Sequence, residues 1–509
     1  TPLSPGEAYD LDHLARQFHP DAGLTDAPTG VGFCMAMSID YLHRVPRLDQ
    51  AFGRGYGEEV DWCRKVKKLG GRHLALPSLF VEHRGGSSFG SAEKLRLIKQ
   101  NNTLIAKRYP EFDSEVQGFV RGDPLATPRL VLGIALAALR ARGRLPIYLA
   151  HSLGGGAEDY LAGRLRADVA TTGAGAAIVL RVGGANRWGI ELHMPEGITC
   201  GGTNDFGFVR RMLDPVAARE IIYSCGVGDP APDALPDLLI SLKRSANDRI
   251  EVLFHDFLPI SPSYTLLDAD GRYRGLPDPD STDEAHRRTH PDGSRKSLRQ
   301  WQKDWGRLIA SADVLTVFSR DSRRIVSGAY GLAARKLRLV PHRMPSDIVP
   351  CQVRPDARPV IGVLGNIGRQ KGAAVLADLS HRLARHGAAD LALIGNLDPA
   401  FALASGARVH GSYQRADIAG LVARYGINRW LIPSVWPETF SFTTHEALAT
   451  GLPVWCFDLG AQAEAVRAAV ARGKKGGTLA LRDGIPDLDE MVAMLCGDSA
   501  PALPERVSA

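Results

Sequence analysis

The sequence predicts an α/β chain of open parallel sheets flanked by helices, and three observations predict it. Short apolar runs recur, each followed by a Gly- or Pro-containing loop and then by a helix-length segment. The clearest unit spans Leu431 to Asp458: an apolar run, a loop presenting Glu438, a helix from Thr443 to Ala449 stopped by Gly451 and Pro453, and the apolar run Val454 to Phe457. The length, 509 residues, corresponds to roughly three domains at about 150 residues each. A strand–loop–helix–strand unit sets loop residues and a helix N-terminus at the carboxyl edge of its sheet, where open α/β folds bind ligands.

The amino-terminal segment, residues 1–120, opens with a loop from Thr29 to Met37 that feeds a strand. A Gly-rich turn, Gly53 to Gly57, enters a helix that begins Glu58-Glu59-Val60-Asp61 and stops at Gly70. Acidic residues at a helix start meet its positive end and need no further role. Strands are expected at Arg72 to Leu76 and Leu79 to His83, a loop at Gly85 to Phe89, and a helix at Glu93 to Tyr109. Residues 121–144 read as a linker, with Pro124 and Pro128 ahead of an Ala/Leu-rich helix ending at Arg140, Arg142 and Arg144.

A second α/β domain, residues 145–345, starts with a strand to Ala150 and a turn, His151 to Gly156, that enters a helix. Strands are expected at Ala176 to Val182, Gly189 to His193 and Glu220 to Cys225, and at Glu251 to Phe257, which delivers His255 near its carboxyl end. The polar span Asp278 to Arg295 reads as a mobile loop. A strand ending near Ser319, a helix from Asp321 to Gly331 and a strand Leu337 to Pro341 close the domain. The third domain, residues 346–485, holds strand Pro359 to Gly365, the loop Asn366-Ile367-Gly368-Arg369-Gln370-Lys371-Gly372, a helix to His386, and strands at Leu391 to Ile394 and Arg408 to Gly411. Residues 486–509 form a tail with one helix, Leu488 to Leu495.

Two carboxylates dominate the third domain. Glu446 follows Thr443 at capping-box spacing, which by itself accounts for it. The whole string says more: Pro437-Glu438-Thr439-Phe440-Ser441, then His445-Glu446-Ala447-Leu448-Ala449-Thr450-Gly451, resembles the donor-site signature of family 4 glycosyltransferases, of GT-B fold. The resemblance covers about residues 145–477 and implies two Rossmann-like domains. It implies that Glu438 lies near the donor sugar and Glu446 holds the nucleotide ribose. It also implies that Arg369 and Lys371 hold the diphosphate, His255 is the cleft histidine, and Gly155 and Gly156 line the cleft from the other domain. Gly365, Asn366, Gly368, Tyr413, Phe440, Ser441 and Thr443 would complete the donor site. Ionised carboxylates suit hydroxyl donors, and paired cations suit a departing diphosphate without a metal. Ser261 and Arg274 lie where a subgroup of relatives often carries cysteines, so a metal clip there is not expected.

The order Gly57-Glu58-Glu59, a strand, then Val81-Glu82-His83 and Gly85-Gly86-Ser87 resembles the acceptor-side half of family 2 glycosyltransferases, of GT-A fold and rhamnosyltransferase-like. That resemblance implies Glu59 as the general base. It gives His83 a part in metal or diphosphate binding in a complete GT-A domain only. No Asp-x-Asp motif precedes it, so Mg²⁺ or Mn²⁺ is expected only if the missing half is present. The segment is expected to be a fragment of a longer protein or a remnant, inactive alone.

The combined expectation is a tandem bacterial glycosyltransferase. It would move a sugar from a nucleotide-sugar donor to a glycan or lipid-linked acceptor, with retention, in O-antigen or exopolysaccharide assembly. The alternatives are a nucleotide-sugar epimerase of GT-B fold and a non-catalytic scaffold. The net charge of +6 is mild, and no Lys/Arg run with interleaved aromatics argues for nucleic acid. That bias is compatible with peripheral membrane association. Seven cysteines without a Cys-x-x-Cys pair favour a reducing compartment, and a cytoplasmic location, at the inner face of a membrane or free, is expected.

Overall fold

The computed structural model describes residues 3–18, 24–53, 55–84, 91–171, 175–342, 348–351 and 358–497. The expected loop Gly85 to Phe89 and the chain end after residue 497 lie outside the described residues. The chain divides into two compact units: one of residues 1–146, 165–180 and 185–218, the other of residues 147–164, 181–184 and 219–509.

In the first unit, helix Glu58–Lys68 is present as expected, and its buried Trp62, Cys63 and Val66 pack under Met35, Met37 and Tyr41. Asp61, only 1 % exposed, takes ion pairs from Lys65 and Arg108 and a hydrogen bond from the Tyr109 hydroxyl, so it is a structural carboxylate. The expected strand at Arg72 to Leu76 shrinks to Leu74–Ala75, which pairs with Thr25–Asp26. The stretch from Leu79 to His83 is irregular, as is the expected strand after Thr29. Helix Ala126–Arg140 buries Leu130, Ile134 and Leu136 and packs on the antiparallel pair Trp188–Met194 and Gly197–Thr203. The second strand of that pair is a new finding, because its exposed, Gly-rich pattern gives no alternation to read.

The second unit carries two parallel sheets. In the first, strands Leu337–Leu339, Val314–Val317, Arg249–Leu253 and Arg219–Tyr223 lie side by side, followed by residues 147–151 of strand Leu145–His151. Their near-continuous burial fits a sheet covered on both faces. The span Asp278 to Arg295, expected to be mobile, is instead folded. It holds the short helix Glu284–His286 and the antiparallel pair Arg288–Thr289 and Arg295–Lys296. Lys296 is tied to Asp233 and Asp304 at 2.6 and 2.7 Å, and buried Ser261 meets His286 Nδ1 at 2.9 Å. Within the span Arg295 donates to Glu284 at 3.1 Å, and Arg299 just beyond it donates to Asp280 at 2.8 Å, so these charges are paired.

The second sheet has the order Arg408–Val409, Asp390–Ile394, Val360–Leu364, Arg429–Ile432, Val454–Phe457, Gly476–Leu479, with neighbouring strands parallel throughout. Helices Ala373–His386, Ile418–Tyr425, Phe442–Ala449 and Gly460–Ala471 connect these strands. Leu364, Ile394, Trp430, Ile432, Val454 and Cys456 form its core with Ile418 and Ala447. The α/β class with parallel sheets is therefore as the sequence predicts.

Candidate functional site

The candidate site lies at the carboxyl edge of the second sheet. Strand Val360–Leu364 ends at Gly365 and Asn366, Asp390–Ile394 at Gly395 and Asn396, and Arg408–Val409 just before Gly411 and Ser412. The Asn396 amide donates to Asn366 Oδ1 at 3.0 Å and to Ser412 Oγ at 3.4 Å, linking the three strand ends through polar groups. Gly365 has φ 104°, and a Cβ there would stand 3.1 Å from the Thr443 methyl. Only glycine lets this loop come so close to the next helix.

That helix begins one residue earlier than expected, at Phe442. Its N-cap, Ser441, makes no side-chain capping bond, and its hydroxyl accepts from Thr444 Oγ1 at 2.8 Å. Thr443 is inside the first turn, so it forms no capping box with Glu446. Glu446, 6 % exposed, instead accepts from Arg415 Nε at 3.0 Å. Tyr413 lies near enough for the Glu446 charge to act on its hydroxyl. Burial first, and then the Glu446 charge, hold the Tyr413 hydroxyl well above its usual range.

Glu438 is 2 % exposed and accepts from Lys371 Nζ at 2.8 Å. Its backbone is pinned as well. Its N–H donates to Gln462 Oε1 at 3.2 Å, its carbonyl accepts from Ala461 at 2.8 Å, and the Gln462 amide donates to the Trp436 carbonyl at 2.8 Å. Lys371 closes the short helix Arg369–Lys371, and the Arg369 guanidinium lies 5.9 Å from the Phe401 ring centre. Gly368 caps that helix. The structure thus brings Glu438, Glu446, Arg369, Lys371, Gly365, Asn366, Gly368, Tyr413, Ser441 and Thr443 to one sheet edge.

Two residues from the first sheet's side, His255 and Gly156, lie against this edge. The Thr439 hydroxyl donates to the His255 carbonyl at 2.8 Å. Gly156 abuts Phe442 so closely that a Cβ would sit 2.5 Å from its ring, while Gly155 stays exposed at the turn. Arg181 steadies this turn by donating to the His151 carbonyl at 3.0 Å and to Glu158 at 2.8 Å. His255 stacks on Phe318 with ring centres 4.5 Å apart and meets Tyr160 edge-on at 5.0 Å. Burial and the neighbouring His342, His151 and Arg164 depress its basicity well below the usual range. Phe440 stacks on His445 at 4.5 Å and lies 4.5 Å from His342.

Among the residues here that the sequence does not single out are Asn396, Arg415, Gln462, His342 and His445. Arg415 is 31 positions from its carboxylate and Asn396 is 30 from Asn366, so neither spacing carries a local signal.

In the first unit, Glu59 lies against Gly32 and caps its own helix start, its Oε2 accepting from the Gly57 N–H at 3.1 Å. His83 stacks on Phe33, with ring centres 4.7 Å apart. Glu59 and His83 therefore flank one loop, Gly32-Phe33. Among the described residues, no three His, Cys, Asp or Glu side chains converge as a metal-ligand set.

No family model matches the chain, and no curated protein matches it. Solved structures with some likeness include Anabaena Alr3699/HepE in complex with UDP, at 14 % identity and TM-score 0.42, covering 69 % of this chain and 88 % of that one. The catalytic domain of starch synthase IV from Arabidopsis thaliana, bound to ADP and acarbose, has 13 % identity and TM-score 0.38 over 63 % and 84 % of the two chains. A point mutant of S. aureus TarM, in complex with fondaparinux, α-GlcNAc-glycerol and UDP, has 10 % identity and TM-score 0.39, covering 60 % of this chain and 54 % of its own. At such low identities and scores, none of these likenesses carries a functional reading.

Proposed function

We propose that residues 145–485 form a glycosyltransferase of GT-B type that takes a nucleotide-sugar donor at the carboxyl edge of the sheet ending at Gly365. One observation carries the proposal: two buried carboxylates eight positions apart, Glu438 and Glu446, each held by a cation, Lys371 and Arg415, beside the Gly365-Asn366 strand end. A ribose or sugar hydroxyl donates, and a fixed carboxylate accepts it at little entropic cost. The start of helix Phe442–Ala449, with no side-chain cap and Gly365 against it, suits a phosphate, as do Arg369 and Lys371.

In this reading Arg369 and Lys371 stabilise charge on the departing diphosphate, and no divalent metal is needed in this unit. Glu438 orients the donor sugar, Glu446 the ribose, and His255 faces the acceptor. Transfer proceeds with retention, to a glycan or lipid-linked acceptor, in cell-surface polysaccharide assembly. Residues 1–120 supply the acceptor-side remainder of a second transferase, with Glu59 as its base.

The test is a mass-spectrometric screen of nucleotide sugars with the full chain, with and without a panel of methyl glycosides as acceptors. Release of a nucleoside diphosphate with a new glycosidic product supports transfer. An isomerised donor formed without acceptor identifies an epimerase instead. Absence of turnover and of binding for every donor sinks the proposal.

A further inference from the structure

Three neighbouring strands of the first sheet, Arg249–Leu253, Val314–Val317 and Leu337–Leu339, run parallel in register. A ring follows each carboxyl end: His255 two residues on, Phe318 one residue on and His342 three residues on. Their centres stand 4.5 Å apart for His255 and Phe318, 4.2 Å for Phe318 and His342, and 5.8 Å for the two imidazoles. His342 also reaches the donor side, 4.5 Å from Phe440 and 5.1 Å from Phe442, the rings on either side of Ser441. It is the imidazole that touches both edges of the cleft.

The ring nitrogens carry an unexplained cost. Nε2 of His255 and Nε2 of His342 are both shut off from water, and neither has a hydrogen-bond partner among the described residues. A buried polar atom left unpaired costs about 1–3 kcal/mol, so two of them in one ring cluster call for an explanation. Packing alone does not supply one, because phenylalanine would fill the same stack without the penalty. A hydroxyl-bearing ligand does supply one: a neutral imidazole nitrogen accepts from a hydroxyl or donates to it, according to its tautomer. Burial keeps His342 neutral at ordinary pH, with its pKa lowered to about 4.

We propose that His342 is a second acceptor-binding residue, and that its Nε2 and that of His255 together grip a hydroxyl of the acceptor sugar beside the Phe440–Phe442 loop. Resting on the glycosyltransferase reading above, this assigns a carbohydrate subsite to the first sheet's edge. Opening of the ring stack to admit the sugar would exchange ring contacts for the missing hydrogen bonds.

The experiment uses the full chain with ¹⁵N-labelled histidine. UDP, ADP and GDP are first titrated calorimetrically, and the diphosphate that binds is held at saturation. Methyl glycosides of glucose, galactose, mannose and rhamnose are then added, with the His255 and His342 signals assigned from His255→Phe and His342→Phe. The proposal expects at least one glycoside to move both Nε2 signals. It expects His342→Phe to bind that glycoside about ten- to a hundredfold more weakly, while diphosphate affinity changes less than twofold. It also expects the His342→Phe melting temperature to hold or rise, since the variant removes an unpaired atom and keeps the stack. Failure of any glycoside to move the His342 signal while the diphosphate still binds overturns the proposal and leaves the donor site standing. A parallel loss of diphosphate affinity and melting temperature in His342→Phe overturns it in favour of a packing role. Absence of binding for all three diphosphates removes the underlying reading and this one with it.

Discussion

Replacing Glu446 by Gln separates a donor-site carboxylate from a structural one. The change is nearly isosteric, and the Gln carbonyl oxygen can still accept from Arg415 Nε, which stands 3.0 Å from the wild-type carboxylate. It removes the charge, and it puts an NH₂ donor where the second carboxylate oxygen was. A hydroxyl donor from ribose then meets a donor. A hydrogen bond to a charged group is worth about 1.5–3 kcal/mol, so nucleoside diphosphate affinity falls by roughly ten- to a hundredfold at about 1.4 kcal/mol per decade. The stability change is smaller than the several kcal/mol of a fully buried broken pair, because the Arg415 side chain is 27 % exposed and water can take up its charge. A loss of about 1 kcal/mol is expected there. Calorimetric titration of wild type, Glu446→Gln and Arg415→Ala with the diphosphate, beside urea unfolding of each, reads both effects. Equal affinities for wild type and Glu446→Gln, with stability lowered in both variants, would refute the ribose contact and leave Glu446 as the partner of Arg415 alone.

Further outcomes follow from the geometry. Arg369→Ala should slow transfer by on the order of tenfold to a thousandfold with stability unchanged, because Arg369 is exposed. Lys371→Met should lose both, since it strands Glu438 at 2 % exposure, and a chelator should leave wild-type transfer intact; steady-state rates with and without chelator check all three. Gln462→Leu leaves the Glu438 N–H and the Trp436 carbonyl without their buried partner, so unfolding free energy should drop by about 2–4 kcal/mol and turnover should fall with it. Asp256 is raised by burial to about 6, above its unfolded value, so its favourable contribution is full below pH about 4 and lost as pH rises through about 6. Asp256→Asn should therefore gain on wild type by about 3 kcal/mol between pH 4 and pH 7, and a flat difference in urea midpoints across that range would contradict the assignment.

The grouping at the second sheet's edge was legible because its residues are written locally. Glu438, Glu446, Arg369 and Lys371 sit in two short strings, each just after a strand. What the strings concealed was the partnering. Thr443 and Glu446 have capping-box spacing, yet the chain enters the helix one residue sooner, at Phe442, and the spacing becomes incidental. Arg415 lies at the start of a different helical segment and is brought over by the crossover between strands. His342 carries no local signal, because nothing in its own neighbourhood shows that its strand runs beside two others followed by His255 and Phe318. The hairpin strand Gly197–Thr203 escaped for the opposite reason: a half-exposed run with paired glycines carries no apolar period, and only its partner strand fixes it.

The two carboxylate–cation pairs bear on whether the site is built for a ligand or only for folding. A buried ion pair is a poor device for stability, because desolvation offsets most of its attraction and apolar residues of similar size do as well. What such a pair does well is hold a charge in place before a ligand arrives. The chemistry leaves room for that here. An ammonium has three donors, and the Lys371 hydrogen bond to Glu438 uses one; a carboxylate has about four acceptor directions, and Lys371 occupies one on Glu438. A diphosphate can take a second donor from Lys371, and a sugar hydroxyl can reach a second lone pair of Glu438, with the pair intact. Binding then replaces water at groups that are already oriented, so little of the interaction is spent on ordering side chains. The Gln462 clamp on the Trp436 carbonyl and the Glu438 N–H extends the same principle to the backbone, fixing the loop that carries Glu438 before any donor enters.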